Sequence, residues 1–320
     1  MRMLVLTACL IAGPAMADVD KAVTDDLLPA FARFGEETEA LVNSALVDCR
    51  PAALRPAFQE TFDAWIGIGP FQFGPLAEKG RNLAIALWPD NGDMVGKTVV
   101  GLVAAKDPAV DSESGFAKVT VAGRGLFALE RLLYDETLSD YGRNDYACHL
   151  TLAIAADLNR TARDMNAEWP GYAKSLTTAG AAGNKVYPDK RAAKEKLFTA
   201  LFAGLDFTKT QRLGRPMGTF DEPRPDLAEA RRSGRSMRNI ILSLKALRRL
   251  ATDLATGPVP RSEAAFDVAI GYAEGLDDPD LSGSADPTGR LKLEILQQKI
   301  ARVQDAVAAE IGADLGTVSQ

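Results

Sequence analysis

Apolar residues return at helical spacing along almost the whole chain, and no strand pattern competes with them. Between Asp20 and Val47 the repeat runs Val23, Leu27, Leu28, Phe31, Phe34, Leu41 and Ala45, close to one helical turn apart. Pro51 opens a second helix whose inner face reads Leu54, Phe58, Phe62 and Trp65. The same reasoning predicts helices over 95–105, 112–136, 144–168, 188–212, 226–255, 261–276 and 287–312. Trp169-Pro170-Gly171 is expected to end the helix over 144–168. Sustained alternation is missing, and no Asn-Gly turn is flanked by β-branched runs. The expectation is an all-α fold of two packed, four-helix-bundle-like domains, over 18–176 and 190–320, joined by a linker at 177–189 that is poor in bulky apolar residues.

The first seventeen residues read as an export leader: Arg2, an apolar run, then Ala15-Met16-Ala17 as a cleavage site before Asp18. Leu6-Thr7-Ala8-Cys9 has the residue types of a lipid-attachment signal, but the apolar run continues past Cys9. Cleavage after Ala17 places the mature protein in the periplasm and leaves Cys49 and Cys148, whose even number in an oxidising compartment predicts a disulfide. No later stretch reads as a transmembrane span. Loss of Arg2 leaves 36 lysines and arginines against 43 acids, a formal charge of −7. An acidic chain without a basic-aromatic cluster argues against nucleic acid as a partner.

Two phosphate-loop lookalikes fail on inspection. Gly92 to Thr98 has Asn91 where the first loop glycine belongs, and the glycine-rich run Gly67 to Gly74 has Gln72 at its third. His149 is the only histidine, so neither a Ser-His-Asp arrangement nor a paired-histidine zinc site can be assembled. Two stretches break an otherwise apolar pattern. Glu130 lies among Leu126, Phe127, Leu133 and Tyr134, and a carboxylate there either joins a buried ion pair with Arg124 or Arg131 or serves a ligand at an interhelical cleft. In the second half, Ala230, Ser233, Gly234 and Met237 prolong the stripe of Ile240, Leu244 and Leu247. Read as helix, this segment offers Ser233 and Ser236 to the same cleft with Arg231 or Arg235 beside them, and Gly234, which costs a helix about 1 kcal/mol, marks a close approach. Pro89 favours a turn in which Trp88 stands near Asp90.

These pieces, taken in order, resemble the imelysin-like proteins, a peptidase family related to bacterial iron-regulated periplasmic proteins. The matching segments are Phe73 to Leu76, Leu87 to Asp90, Gly125 to Asp135, Tyr146 to His149, Leu213 to Gly218 and Arg231 to Ile240. The resemblance implies two helical halves with a site at their junction, built on a Gly-x-His-x-x-Glu signature. Here Gly125 and Glu130 match while Phe127 occupies the histidine position, which removes an imidazole ligand. Expected from the resemblance is a non-catalytic, ligand- or metal-binding protein associated with iron uptake, with Glu130 as the metal-facing acid, iron or another divalent ion as cofactor and periplasmic iron-uptake proteins as partners. Its cleft takes in Trp88, Asp90, Arg124, Gly125, Phe127, Glu130, Arg231, Ser233, Arg235 and Ser236. Two alternatives stand beside it: a metallopeptidase using Glu130, Asp90 and His149, and an interaction partner whose site is vestigial.

Overall fold

The structure, a computed structural model, describes residues 18–315; the expected leader and cleavage site lie outside the described residues. Among the described residues there is no strand, and no helix is long and apolar enough to cross a membrane. We number the helices of ten or more residues α1 (Leu28–Val47), α2 (Pro51–Ile68), α3 (Met94–Ala105), α4 (Gly125–Tyr134), α5 (Tyr146–Thr177), α6 (Lys190–Phe207), α7 (Ser236–Leu254), α8 (Pro260–Glu274) and α9 (Pro287–Val307).

In the first half, α1 lies between α2 and α5, and α4 packs on both α2 and α5 with α3 behind it. The expected α2 face is the one buried: Leu54, Phe58, Phe62 and Trp65 all point into the core. Phe62 meets Phe127 of α4 edge to face at 5.5 Å. In the second half, α7 contacts both α6 and α8, and α9 contacts both α8 and α6. The halves meet where α7 lies on α2 and where α5 touches α6. Chain ahead of α1 adds to this junction, because Lys21 pairs with Asp253 at 2.8 Å and Asp26 with Arg249 at 3.2 Å, both acids' partners bridging to or from α7.

Cys49 and Cys148 form the expected disulfide, with a Cα–Cα distance of 5.3 Å, tying the end of α1 to the start of α5. The connection expected at 177–189 runs between α5 and α6; Tyr187 in it is buried, and its hydroxyl lies 2.7 Å from that of Tyr172.

Three expected helices are redrawn. The one over 112–136 is broken into a short turn at Glu113–Phe116 and α4, because Gly125 has φ +70° and a Cβ there would sit 2.3 Å from the carbonyl oxygens of Ala84 and Ile85. Trp169-Pro170-Gly171 does not end α5, which runs on to Thr177: Trp169 is buried against Phe31 and Phe73, and that packing holds the helix through the proline. Finally, the helix expected from 226 begins only at Ser236. Ala230 (φ +50°) and Gly234 (φ +66°) are left-handed, so Ser233 sits in a turn before the helix. Nothing lies within 4 Å of a Cβ built on Gly234, so its backbone angle, not a close neighbour, accounts for the glycine.

Candidate functional site

Glu130 reaches the junction because Gly125 starts α4 against the Ala84–Ile85 backbone, which turns the Phe127 and Glu130 side of the helix toward the second half. Its side chain is 3% exposed. One oxygen, Oε1, accepts from the Ser233 amide at 3.0 Å and from the Ser233 hydroxyl at 2.7 Å, across 103 residues of sequence. Burial pushes the carboxyl above its ordinary value, and the Ser233 hydrogen bonds, with Arg232 and Arg235 further off, work against that shift. Neither expected ion-pair partner is there. Arg124 pairs with Asp157 of α5 at 2.8 Å. Arg131 is held by Asp93 and by Asp135.

The turn that presents Ser233 is strained and tightly tied. Ala230 is a left-handed, buried residue, and its carbonyl accepts from the Ser233 hydroxyl at 3.0 Å and the Arg235 amide at 3.3 Å. Arg235 and Ser236 do not face the cleft. The Arg235 guanidinium, 0% exposed, bonds Asp63 of α2 at 2.6 Å and lies 4.4 Å from the centre of the Phe62 ring. Ser236 donates to the Glu229 carbonyl at 2.7 Å. Both fasten the turn to its surroundings.

Beside Glu130 is a cavity of about 350 Å³. Trp88, Asp90, Phe127 and Glu130 line it from the first half, and Arg215, Ala230, Arg231 and Arg232 from the second. Of the ten residues expected in a cleft, five line it: Trp88, Asp90, Phe127, Glu130 and Arg231. Gly125 and Ser233 position Glu130 instead, while Arg124, Arg235 and Ser236 are engaged elsewhere. Asp90 spends its carboxylate on the start of α3, accepting from the Met94 and Val95 amides at 2.9 and 3.0 Å. Asn91 in the same turn accepts from Arg215 at 2.6 Å and so links the two halves. Sequence reasoning passed over Arg215, although it lies in the quoted Leu213 to Gly218 segment; its isolation among apolar and glycine neighbours was the available signal.

Trp88 and Phe127 also line a second, more apolar cavity of about 380 Å³, together with Trp65, Phe73, Ala203 and Phe207. At its side Arg212 and Glu229, both buried, pair at 2.7 Å, and Asn239 donates to Glu229 at 3.0 Å. The two aromatic side chains thus form walls common to both spaces.

The donor set does not suit a metal. Among the described residues no group of three or more histidine, cysteine, aspartate or glutamate side chains is placed to hold an ion. His149 lines a different cavity, with Phe116 and Asp157, so the constellation of Glu130, Asp90 and His149 is not assembled. Phe127, where the signature has histidine, offers no ligand atom.

Solved structures share this architecture. An imelysin-like protein from Psychrobacter arcticum 273-4 superposes with a TM-score of 0.75 at 18% identity, covering 93% of this chain and 96% of that one. A proposed iron-regulated protein A precursor from Parabacteroides distasonis ATCC 8503 gives 0.71 at 13% identity, covering 94% and 97%. Among curated proteins, iron-regulated protein A of Synechococcus elongatus is 26% identical over 196 residues, which is 58% of this chain and 49% of that protein. The chain therefore spans about half the length of that relative. The family model for imelysin, peptidase family M75, matches residues 27–312, and the chain belongs to the imelysin family.

Proposed function

We propose that this protein is an exported, non-catalytic binding protein of an iron-responsive periplasmic system, and that it receives a small molecule in the cleft beside Glu130. One observation carries the reading. A carboxyl that is 3% exposed, answered only by Ser233 from the other half of the chain, lines a cavity of about 350 Å³ that both halves enclose. Relatives described as iron-regulated, one of them as a precursor, support the iron connection and the export. Peptidase chemistry is not part of the proposal, since metal-assisted hydrolysis needs several fixed ligands and an open position. Asp90 and Asp93 are already committed to amides and to Arg131.

The test begins with protein recovered from the periplasm of iron-starved cells of its source. Native mass spectrometry is expected to show a bound small molecule, with occupancy changed at least tenfold in Glu130→Gln, and metal content well below one ion per chain. Proteolysis assays with and without chelator are expected to show no difference. Stoichiometric metal, or chelator-sensitive hydrolysis that Glu130→Gln abolishes, would return the protein to the metallopeptidase class. Occupancy unchanged in Glu130→Gln would remove the cleft from the function.

A further inference from the structure

One cation lining the cavity beside Glu130 has no protein partner for its guanidinium. Arg131 is paired with Asp93 and Asp135, Arg232 with Asp135 at 3.4 Å, and Arg215 donates to Asn91. The Arg231 side chain makes no ion pair and no hydrogen bond among the described residues, and its Nε is shut off from solvent. Three buried side-chain polar atoms in the described chain lack a partner, those of Trp169, Arg231 and Ser284, and Arg231 is the charged one. A guanidinium N–H closed to water and left unbonded is costly, and native proteins seldom leave one so. Asp226 also lines the cavity but is exposed, and it forms no ion pair with Arg231.

The walls around Arg231 define the rest of the occupant. A planar fork of N–H donors matches a carboxylate or a phosphate and does not match a metal ion or an amine. Trp88 and Phe127 supply aromatic surface, Leu227 and Ala230 aliphatic surface, and past the two aromatic rings lies the more apolar cavity of about 380 Å³. The space is thus suited to an anionic group on an apolar body, larger than inorganic phosphate alone.

Resting on the binding function proposed above, we infer that the cleft takes a small oxyanion, carboxylate or phosphate, carried on an apolar or aromatic body, with Arg231 as the residue that holds the anion and Trp88 and Phe127 as the walls that hold the body.

Four probes of one size separate charge from shape: benzoate, phenyl phosphate, neutral benzamide and cationic benzylammonium. Binding is read on the indole N–H signal of Trp88 in ¹H–¹⁵N spectra, where three tryptophans give three signals and Trp88→Phe identifies the one that matters. Benzoate or phenyl phosphate is expected to shift that signal saturably, with affinity at least tenfold above benzamide, and the tighter of the two anions tells carboxylate from phosphate. Arg231→Met keeps the apolar stem of the side chain without its charge and is expected to lower anion affinity at least tenfold, with an unchanged circular dichroism spectrum. Anion affinity retained in Arg231→Met overturns the assignment, as does benzamide binding as tightly as benzoate. Should benzamide or benzylammonium shift Trp88 while both anions fail, the oxyanion is wrong and the binding cleft stands. Should none of the four act, the oxyanion assignment falls, and the cleft is judged by the native-ligand experiment alone.

Discussion

Removal of Asp63 is the sharpest test of how the two halves are joined. Asp63 of α2 is 8% exposed and faces two arginines of the other half. Its Oδ1 accepts from Arg235 at 2.6 Å and from Arg238 at 2.8 Å. Arg238 is half exposed, so its share is small after solvent screening. Arg235 is fully buried, and in Asp63→Ala it keeps the Gln59 carbonyl and Asn239 as acceptors but loses its counter-charge. Breaking a buried pair from one side costs about 3–5 kcal/mol, and the retained acceptors place this case near 3. At roughly 2–4 °C per kcal/mol, the thermal midpoint is expected to fall by about 6–12 °C at pH 7. Arg235→Met is expected to cost less, because Asp63 keeps Arg238, and Asp63→Asn with Arg235→Met together should recover much of the loss. Burial opposes ionisation of Asp63, but the hydrogen bonds from Arg238 and Arg235 outweigh it and hold the carboxyl below its ordinary value. A carboxyl lowered on folding stabilises the protein above its unfolded value of about 3.9, and that contribution fades as pH falls toward the lower folded value. Circular dichroism melts at pH 3 to 7 measure both effects. A loss under about 1 kcal/mol for Asp63→Ala, or a penalty independent of pH across that range, would refute the reasoning.

Other outcomes are expected from the same physics. Burial raises the Glu130 carboxyl, so ionised Glu130 costs stability; that cost is absent below the unfolded value of about 4.5 and grows as pH rises toward the folded one. The melting advantage of Glu130→Gln over the parent should therefore increase between pH 4 and pH 7, and a constant difference would contradict the assignment. Arg231→Leu removes an unbonded buried N–H, and denaturant titration is expected to show a stability equal to the parent or higher by about 1 kcal/mol. Replacing both Cys49 and Cys148 by alanine frees a loop closed across 99 residues, for which chain entropy gives a loss of about 4–5 kcal/mol in the same titration.

The helical class and the inner faces of α1 and α2 were legible because a 3.6-residue apolar period has few other readings. So was the burial of Glu130, whose neighbours one turn away on both sides are apolar. Ser233 was expected in the same cleft, but its pairing with Glu130 itself was not legible, because no local pattern reports a contact across 103 residues. The turn at Ala230 to Gly234 was concealed for a different reason. Ala230, Ser233 and Met237 fall on the helical stripe of α7, and a left-handed alanine leaves no mark in composition. Trp169-Pro170-Gly171 misled in the opposite sense, because the stop signal is local while the packing of Trp169 on Phe31 and Phe73 is not. At the cleft, the readable residues were those whose chemistry clashed with their surroundings; Arg124 and Arg235, which looked similar in sequence, turned out to be answered by Asp157 and Asp63.

Phe127 brings these threads together. At the signature's histidine position it continues an aromatic stack, meeting Phe62 at 5.5 Å, and Phe62 in turn carries the Arg235 guanidinium on its face. An imidazole at 127 would add a polar nitrogen on the same helix face as Glu130, one turn away, where a metal could use both. A phenyl ring there removes that option and supplies apolar surface to both cavities. One wall of the site is thus a packing surface rather than a ligand atom. Glu130 is left with Ser233 as its partner, and Arg231 is left facing the same space with none. A site built in this way favours an occupant that brings an apolar body and its own negative charge over one that is itself a cation.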